Sequence, residues 1–225
     1  MASTEKHYPN ITWAQFAMAK NIIAMLFESN ETDYAAYAPY IHALSSSTNP
    51  YYCMAVASAK LRLGRTEEAD LYAYKALYYL NDTEDYEIYK SYFGYYNQNL
   101  NRYHDESKTE RVKGNSVVTL EENNPADSWH PEIKVLCLDL ESEFSDINNR
   151  SMDIEHITSS NPLFLKIQGS RLKQVLKIGG INFKITKICS RADFAAGFIF
   201  KKINQHPDKF DGAVMVLSSE KPEEL

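Results

Sequence analysis

Ala36, Tyr40, Ala43 and Leu44 recur 33 positions further on as Ala69, Ala73, Ala76 and Leu77. Small residues in this pattern line one stripe of a helix and let a second helix approach closely. A period in the thirties is that of stacked helix-turn-helix units. The first half of such a chain is expected to be a helical array, a scaffold that offers contact surface.

The flanking residues agree. Trp13, Phe16, Ala17, Ile22, Ile23, Leu26 and Phe27 form an apolar stripe near the helical period, ending in the polar turn 28–32. A second helix is predicted over about 33–45, with Ala36, Tyr37, Tyr40, Ala43 and Leu44 inward, closed by the Ser-Ser-Thr-Asn-Pro run at 46–50. In the next pair, residues 51–81, Leu63-Gly64 stands at the turn, Arg65-Thr66-Glu67-Glu68 opens the second helix, and Ala69, Ala73 and Ala76-Leu77 follow. On these residues the segment resembles a tetratricopeptide repeat, although Cys53 stands where that family often has Trp. A third helix, from about Thr83 through Tyr86, Tyr89, Tyr92, Phe93, Tyr96 and Leu100 to Tyr103, resembles the helix that caps such arrays.

Among the 16 tyrosines, Tyr51, Tyr52, Tyr72, Tyr74, Tyr78, Tyr79, Tyr95 and Tyr96 are too many and too evenly spread for one apolar stripe. Tyrosine gives rigid contact area with a polar tip. Tyr51, Tyr52, Tyr72, Tyr79 and Tyr95 are the candidates to line a concave groove that binds a protein or peptide partner.

After Asp105 the pattern changes. A charged stretch without apolar periodicity gives way to short β-type runs at 116–120, 133–138, 175–178 and 181–188. This predicts a helical domain over 1–105 and an α+β domain over 112–217. Strict alternation from Ile181 to Ile188 after Gly179-Gly180 predicts a hairpin. Asn161-Pro162 followed by Leu163, Phe164, Leu165, Ile167 and Gly169 predicts a short helix stopped by glycine. Arg191 to Ile203 is a further helix, with Phe194, Phe198 and Ile199 on one face, and Ala213–Leu217 a possible last strand. The expected fold class is α+β, an all-α helical-hairpin array followed by an antiparallel sheet with one crossing helix.

Within residues 112–188 the run Val112-Lys113-Gly114-Asn115-Ser116-Val117-Val118-Thr119-Leu120-Glu121 resembles the opening strand of the C-terminal domain of Gre-type transcript cleavage factors. Ile157 to Leu163, Ile167-Gln168-Gly169, Val175, Gly179-Gly180 and Phe183-Lys184-Ile185 follow in that family's order. The resemblance implies an FKBP-like fold and a docking module for RNA polymerase. It implies no catalysis, because the family's acidic residues lie on a coiled coil that is replaced here by repeats, and prolyl isomerase activity does not follow from the fold. The joined architecture is similar to the front part of a bacterial conflict-system family that ends in a PIN-type nuclease. After Val214–Leu217 only eight residues follow, too few for that nuclease. A non-catalytic interaction module is therefore expected, with the regulatory portion of a metal-dependent nuclease as the alternative.

A formal net charge of -6 argues against non-specific attraction of the whole molecule to nucleic acid or to an anionic membrane. Lys166, Arg171, Lys173, Lys177, Lys184, Lys187, Arg191, Lys201 and Lys202 nevertheless surround a single acid, Asp193. Lys173, Lys177, Lys184 and Lys187 are the candidate partner-binding lysines, on a polymerase-facing or RNA-binding patch.

Chemistry is poorly signposted. The three cysteines, Cys53, Cys137 and Cys189, have no ligand spacing and are expected to be buried, reduced thiols. The six histidines, His7, His42, His104, His130, His156 and His206, fit no HExxH or triad motif. Asp139, Glu141, Glu143 and Asp153 are the residues on which a catalytic or metal-binding reading would rest, and Gly179-Gly180 lacks a phosphate-cradling context. No cofactor, metal or catalytic residue is expected. A polar N-terminus without a signal-peptide core, and no apolar run near the length of a span, predict a cytoplasmic chain with no membrane partner.

Overall fold

The computed structural model describes residues 44–45, 47–80, 84–102, 110–123, 131–140, 144 and 152–210. The predicted helix over 12–27, most of the first repeat copy, the start of the charged stretch after Asp105 and the possible strand at 213–217 lie outside these residues.

The first described helix that is complete, α1 (Pro50–Arg62), begins where Asn49 turns its side chain onto the backbone N–H groups of Tyr51 and Tyr52. Pro50 at the first helical position lacks the N–H that would otherwise be orphaned there. The helix ends at Gly64, whose φ of 72° allows Gly64 N–H to reach the Leu61 carbonyl and Arg65 N–H the Lys60 carbonyl. This paired closure needs a left-handed residue, for which glycine has no steric penalty. The chain turns directly into α2 (Thr66–Tyr78), with Glu67 and Glu68 at its positive end. Ala57 of α1 and Ala69, Ala73 and Ala76 of α2 are fully buried. A third helix, α3 (Tyr86–Gln98), completes this layer.

Among the described residues, the second half forms a five-stranded sheet. In chain order the strands are β1 (Ser116–Glu122), β2 (Ile133–Asp139), β3 (Glu155–Thr158), β4 (Val175–Ile178) and β5 (Ile181–Ser190), and in space they run β3-β2-β1-β5-β4. β1 pairs antiparallel with β2 and β5, and β4 with β5 across Gly179-Gly180, where φ is 58° and 93°. The sheet is mixed, which corrects the antiparallel expectation: β3 runs parallel to β2. A parallel pair requires a connection of about a dozen residues or more, and the interval 140–154 between the two strands has that length. The predicted short helix is α4 (Pro162–Ile167), capped by Asn161 and followed by Gly169 at φ 80°.

One sheet face buries Val118, Leu120, Leu136, Leu138, Ile157, Phe183 and Ile185 with Phe164 and Ile167 of α4. The other face carries Val117, Cys137 and Cys189, adjacent across β1, β2 and β5. The last helix, α5 (Arg191–Gln205), leaves β5 without a loop, because Ser190 caps it by accepting from Asp193 N–H at 3.0 Å. Its buried face, Ala195, Ile199 and Ile203, joins Tyr74, Tyr78, Tyr89, Tyr92 and Phe93 in one core. Tyr92 Oη donates to the Ala192 carbonyl at 3.4 Å and Tyr96 Oη to Asp193 Oδ1 at 3.0 Å. Two tyrosines of α3 thus grip the first turn of α5. A final 3-10 turn, Pro207–Phe210, returns Phe210 to the same core.

Candidate functional site

The chemistry-bearing residues converge where the helical layer meets the sheet. Cys137 and Asp139 alternate on β2 and share a face, and the parallel register sets His156 beside Cys137. His156 Nδ1 lies 2.6 Å from Asp139 Oδ2, while Cys137 Sγ donates to Asp139 Oδ1 at 3.1 Å. Arg191, placed by the β5–α5 junction, reaches the same Oδ1 at 3.3 Å. On the other side of the imidazole, Tyr74 Oη of α2 meets Nε2 at 3.2 Å. Phe144 stacks on the His156 ring at 5.1 Å and Tyr78 meets it edge-on at 5.1 Å.

This cluster is sealed. Asp139 and Cys137 are 0% exposed. Burial, reinforced by the Asp139 charge, pushes the Cys137 thiol well above the ordinary cysteine range. Burial likewise holds the Tyr74 phenol well above its ordinary value, with Cys137 and Asp139 adding to the effect and Arg191 opposing it. The thiol points at the carboxylate and not at the imidazole, so no Cys–His nucleophile pair is formed. Three donor atoms, from Cys137, Asp139 and His156, do lie within 4.8 Å of one another, a spacing a metal ion can bridge. The chemistry fits poorly. Both carboxylate oxygens already have partners, one of them a guanidinium cation. The described residues add no fourth ligand to this set, and a closed zinc site needs four.

Sequence spacing hid this cluster, because Cys137 and His156 become neighbours only through the parallel β2–β3 pair. The alternation Leu136-Cys137-Leu138-Asp139 was the available signal, since it sets the thiol and carboxylate on one face. Of the four acids considered, Asp139 is in the cluster, Asp153 is exposed outside it, and Glu141 and Glu143 lie outside the described residues. His206 instead meets the Tyr86 ring at 5.9 Å; the other four histidines also lie outside the described residues.

The tyrosine candidates turn mostly inward. Tyr52 is 4% and Tyr95 is 5% exposed, and Tyr95 Oη donates to Asp70 at 2.7 Å. Tyr51 is half-buried and donates to both oxygens of Asp85, at 2.9 and 2.8 Å. Tyr72, half-buried, lies 4.6 Å under the Lys75 ammonium, and Tyr79 packs edge-on to Tyr78 at 5.1 Å. The aromatic residues of α3 are largely used against α5, and Tyr74 and Tyr78 of α2 against Phe144 and His156.

The lysine candidates come together. Register places Ile133, Glu121, Lys184 and Val175 in one row across β2, β1, β5 and β4. Val135, Thr119 and Lys187 form the adjacent row, and Asn182 with Lys177 lies on the other side. Lys173 precedes β4 at φ 69°, outside the registered rows, with its backbone N–H donating to the Ile185 carbonyl at 2.8 Å. Among the described residues, helix α5 covers the end of this face around Val117, Cys137 and Cys189 and leaves these rows open: Lys177, Lys184 and Lys187 are exposed, Ile133 is 60% and Val175 46% exposed. None of the four lysines makes an ion pair with its side chain.

No protein-family model, curated protein or solved structure matches the chain. Among the described residues, no helix is long and apolar enough to cross a membrane.

Proposed function

We propose that this chain is a non-catalytic protein-interaction module, built from tetratricopeptide-like helices and a Gre-type sheet domain, whose docking surface is the open half of the sheet face. The observation that carries the reading is the contrast between two polar sets on the same face. In the Cys137–Asp139–His156–Arg191 cluster, Cys137 and Asp139 are buried, His156 and Arg191 are half-buried, and hydrogen bonds within the cluster and to Tyr74 tie the sheet to the helical layer. Lys177, Lys184 and Lys187, by contrast, are exposed and unpaired next to exposed aliphatic carbon, which is the composition of a contact surface. The flank of α1–α3 around Tyr51, Tyr72 and Tyr79 is a second contact area.

The resemblance of residues 112–188 to the Gre-type domain makes RNA polymerase the first partner to try, in a bacterial conflict or defence setting. The test is biolayer interferometry of the full chain against purified bacterial core polymerase. Saturable binding lost in Lys184→Glu/Lys187→Glu supports the reading. Binding that ignores those substitutions, or none at any concentration reached, removes polymerase docking through this face.

A further inference from the structure

We propose that the open half of the sheet face takes an acidic, aliphatic-bearing segment of a partner protein, lying across the strands; this rests on the interaction reading above and adds the chemistry of the partner. Charge gives the first half of the argument. Lys177, Lys184 and Lys187 share the face, and Glu121 is the acid that the described register puts among them. Glu121 itself makes no ion pair that would neutralise Lys184. Unpaired cations on one patch of a chain whose net charge is -6 make a local field of opposite sign to the molecule, and such a patch steers carboxylates.

Carbon gives the second half. The row Ile133–Glu121–Lys184–Val175 ends in an exposed aliphatic residue on each side, and Val135 sits half-buried beside it. The row crosses three interstrand gaps of about 4.8 Å, roughly 14 Å, which an extended chain at about 3.3 Å per residue covers in about five residues. A segment with a branched aliphatic residue near each end and carboxylates between them matches both ends and the middle. No aromatic residue stands at any of these register positions, so nucleic-acid bases would find no stacking surface and only phosphate contact would be left.

The experiment is a ¹H–¹⁵N correlation titration of the full chain with a soluble peptide repeating Leu-Ser-Glu-Ser, which sets leucine and glutamate on the same face of an extended segment. The same peptide with glutamine for glutamate, and an oligouridine of similar length, are titrated in parallel. The expected result is amide shifts centred on Ile133, Val175, Lys177, Lys184 and Lys187, an affinity that falls about tenfold between low and high salt as exposed charges are screened, and loss of both in Lys184→Glu/Lys187→Glu. Val175→Asn, which leaves every charge in place, is expected to weaken binding about threefold or more. Circular dichroism confirms that both variants fold.

Oligouridine binding more tightly than the peptide at these residues, glutamine peptide binding equally well, or self-association of the chain through the same lysines overturns the proposal. So does an absence of shifts on this face. Polymerase binding that persists while the peptide leaves the face unperturbed sinks the acidic-segment chemistry and leaves the broader docking reading standing.

Discussion

Tyr74 on α2 and His156 on β3 meet through Oη and Nε2 at 3.2 Å, although 82 residues separate them in the chain. The contact crosses from the helical layer to the sheet and ends a chain of polar groups that runs on through Asp139 to Cys137 and Arg191. In a buried setting such a chain fixes one relative placement of the layers, because every alternative leaves a polar group without a partner.

The two ends of that chain are expected to differ in cost. Tyr74→Phe removes one hydrogen bond at the edge of the cluster and is expected to lower stability by about 1 kcal/mol. Asp139→Ala strips His156, Cys137 and the Arg191 cation of their common acceptor, and is expected to cost about 3–5 kcal/mol, the range for breaking a buried ion pair from one side. Urea midpoints of the two variants check this; equal, small losses would show that the cluster is not a fastening.

Alkaline pH is expected to destabilise the fold. Burial pushes the Cys189 thiol up to about 11, with Lys187 opposing and Asp193 adding slightly. The unfolded chain loses this proton near the ordinary value of 9.0, so from about pH 9 to about pH 11 the unfolded state binds fewer protons and stability falls as pH rises. Below pH 9 the thiol is protonated in both states and contributes no slope. Tyr96, raised to about 12 by burial and Asp193, extends the loss to higher pH. Urea midpoints across this range should decline, and Cys189→Ala should flatten the first part of the decline.

The described helices from Pro50 onward and four of the described strands were legible because their signals are local. Asn49-Pro50, Leu63-Gly64, Asn161-Pro162, Gly179-Gly180 and the alternation from Ile181 to Ile188 each set a backbone geometry within a few residues. The parallel β2–β3 pair was not legible, since no local pattern records which way a strand runs beside a neighbour reached by a long crossover. The Cys137–His156 adjacency follows from that pairing and was hidden with it. Tyr92 and Tyr96 were read correctly as helical but not as the grip on α5, because a tyrosine's hydrogen-bond partner is set by tertiary placement. The lysines gave the reverse case: they were visible in sequence as an excess, and the sheet register gathered them on one face.

Metal loading is expected to be ineffective. Cys137, Asp139 and His156 are already partnered with one another, and Arg191 places a cation beside the shared carboxylate. Added zinc or cobalt should leave the melting temperature unchanged, and EDTA should do the same. A rise in melting temperature with zinc, or a cobalt–thiolate absorption band lost in Cys137→Ser, would reverse this conclusion and turn the cluster into a metal centre.

Tyr52 offers a test of whether its ring serves partner contact or the core. Its hydroxyl is buried without a hydrogen-bond partner, and burial raises the phenol to about 12. A buried polar group left unpaired costs about 1–3 kcal/mol relative to a partnered one. Tyr52→Phe removes the hydroxyl and keeps the ring that α1 packs inward, so the variant is expected to be more stable than wild type by about 1 kcal/mol. It should also lose less stability than wild type near the top of the alkaline range, because one raised phenol has gone. Binding to the partner should be unchanged. A destabilised variant would mean that the hydroxyl is satisfied in solution; intact stability with lost binding would return Tyr52 to the contact surface.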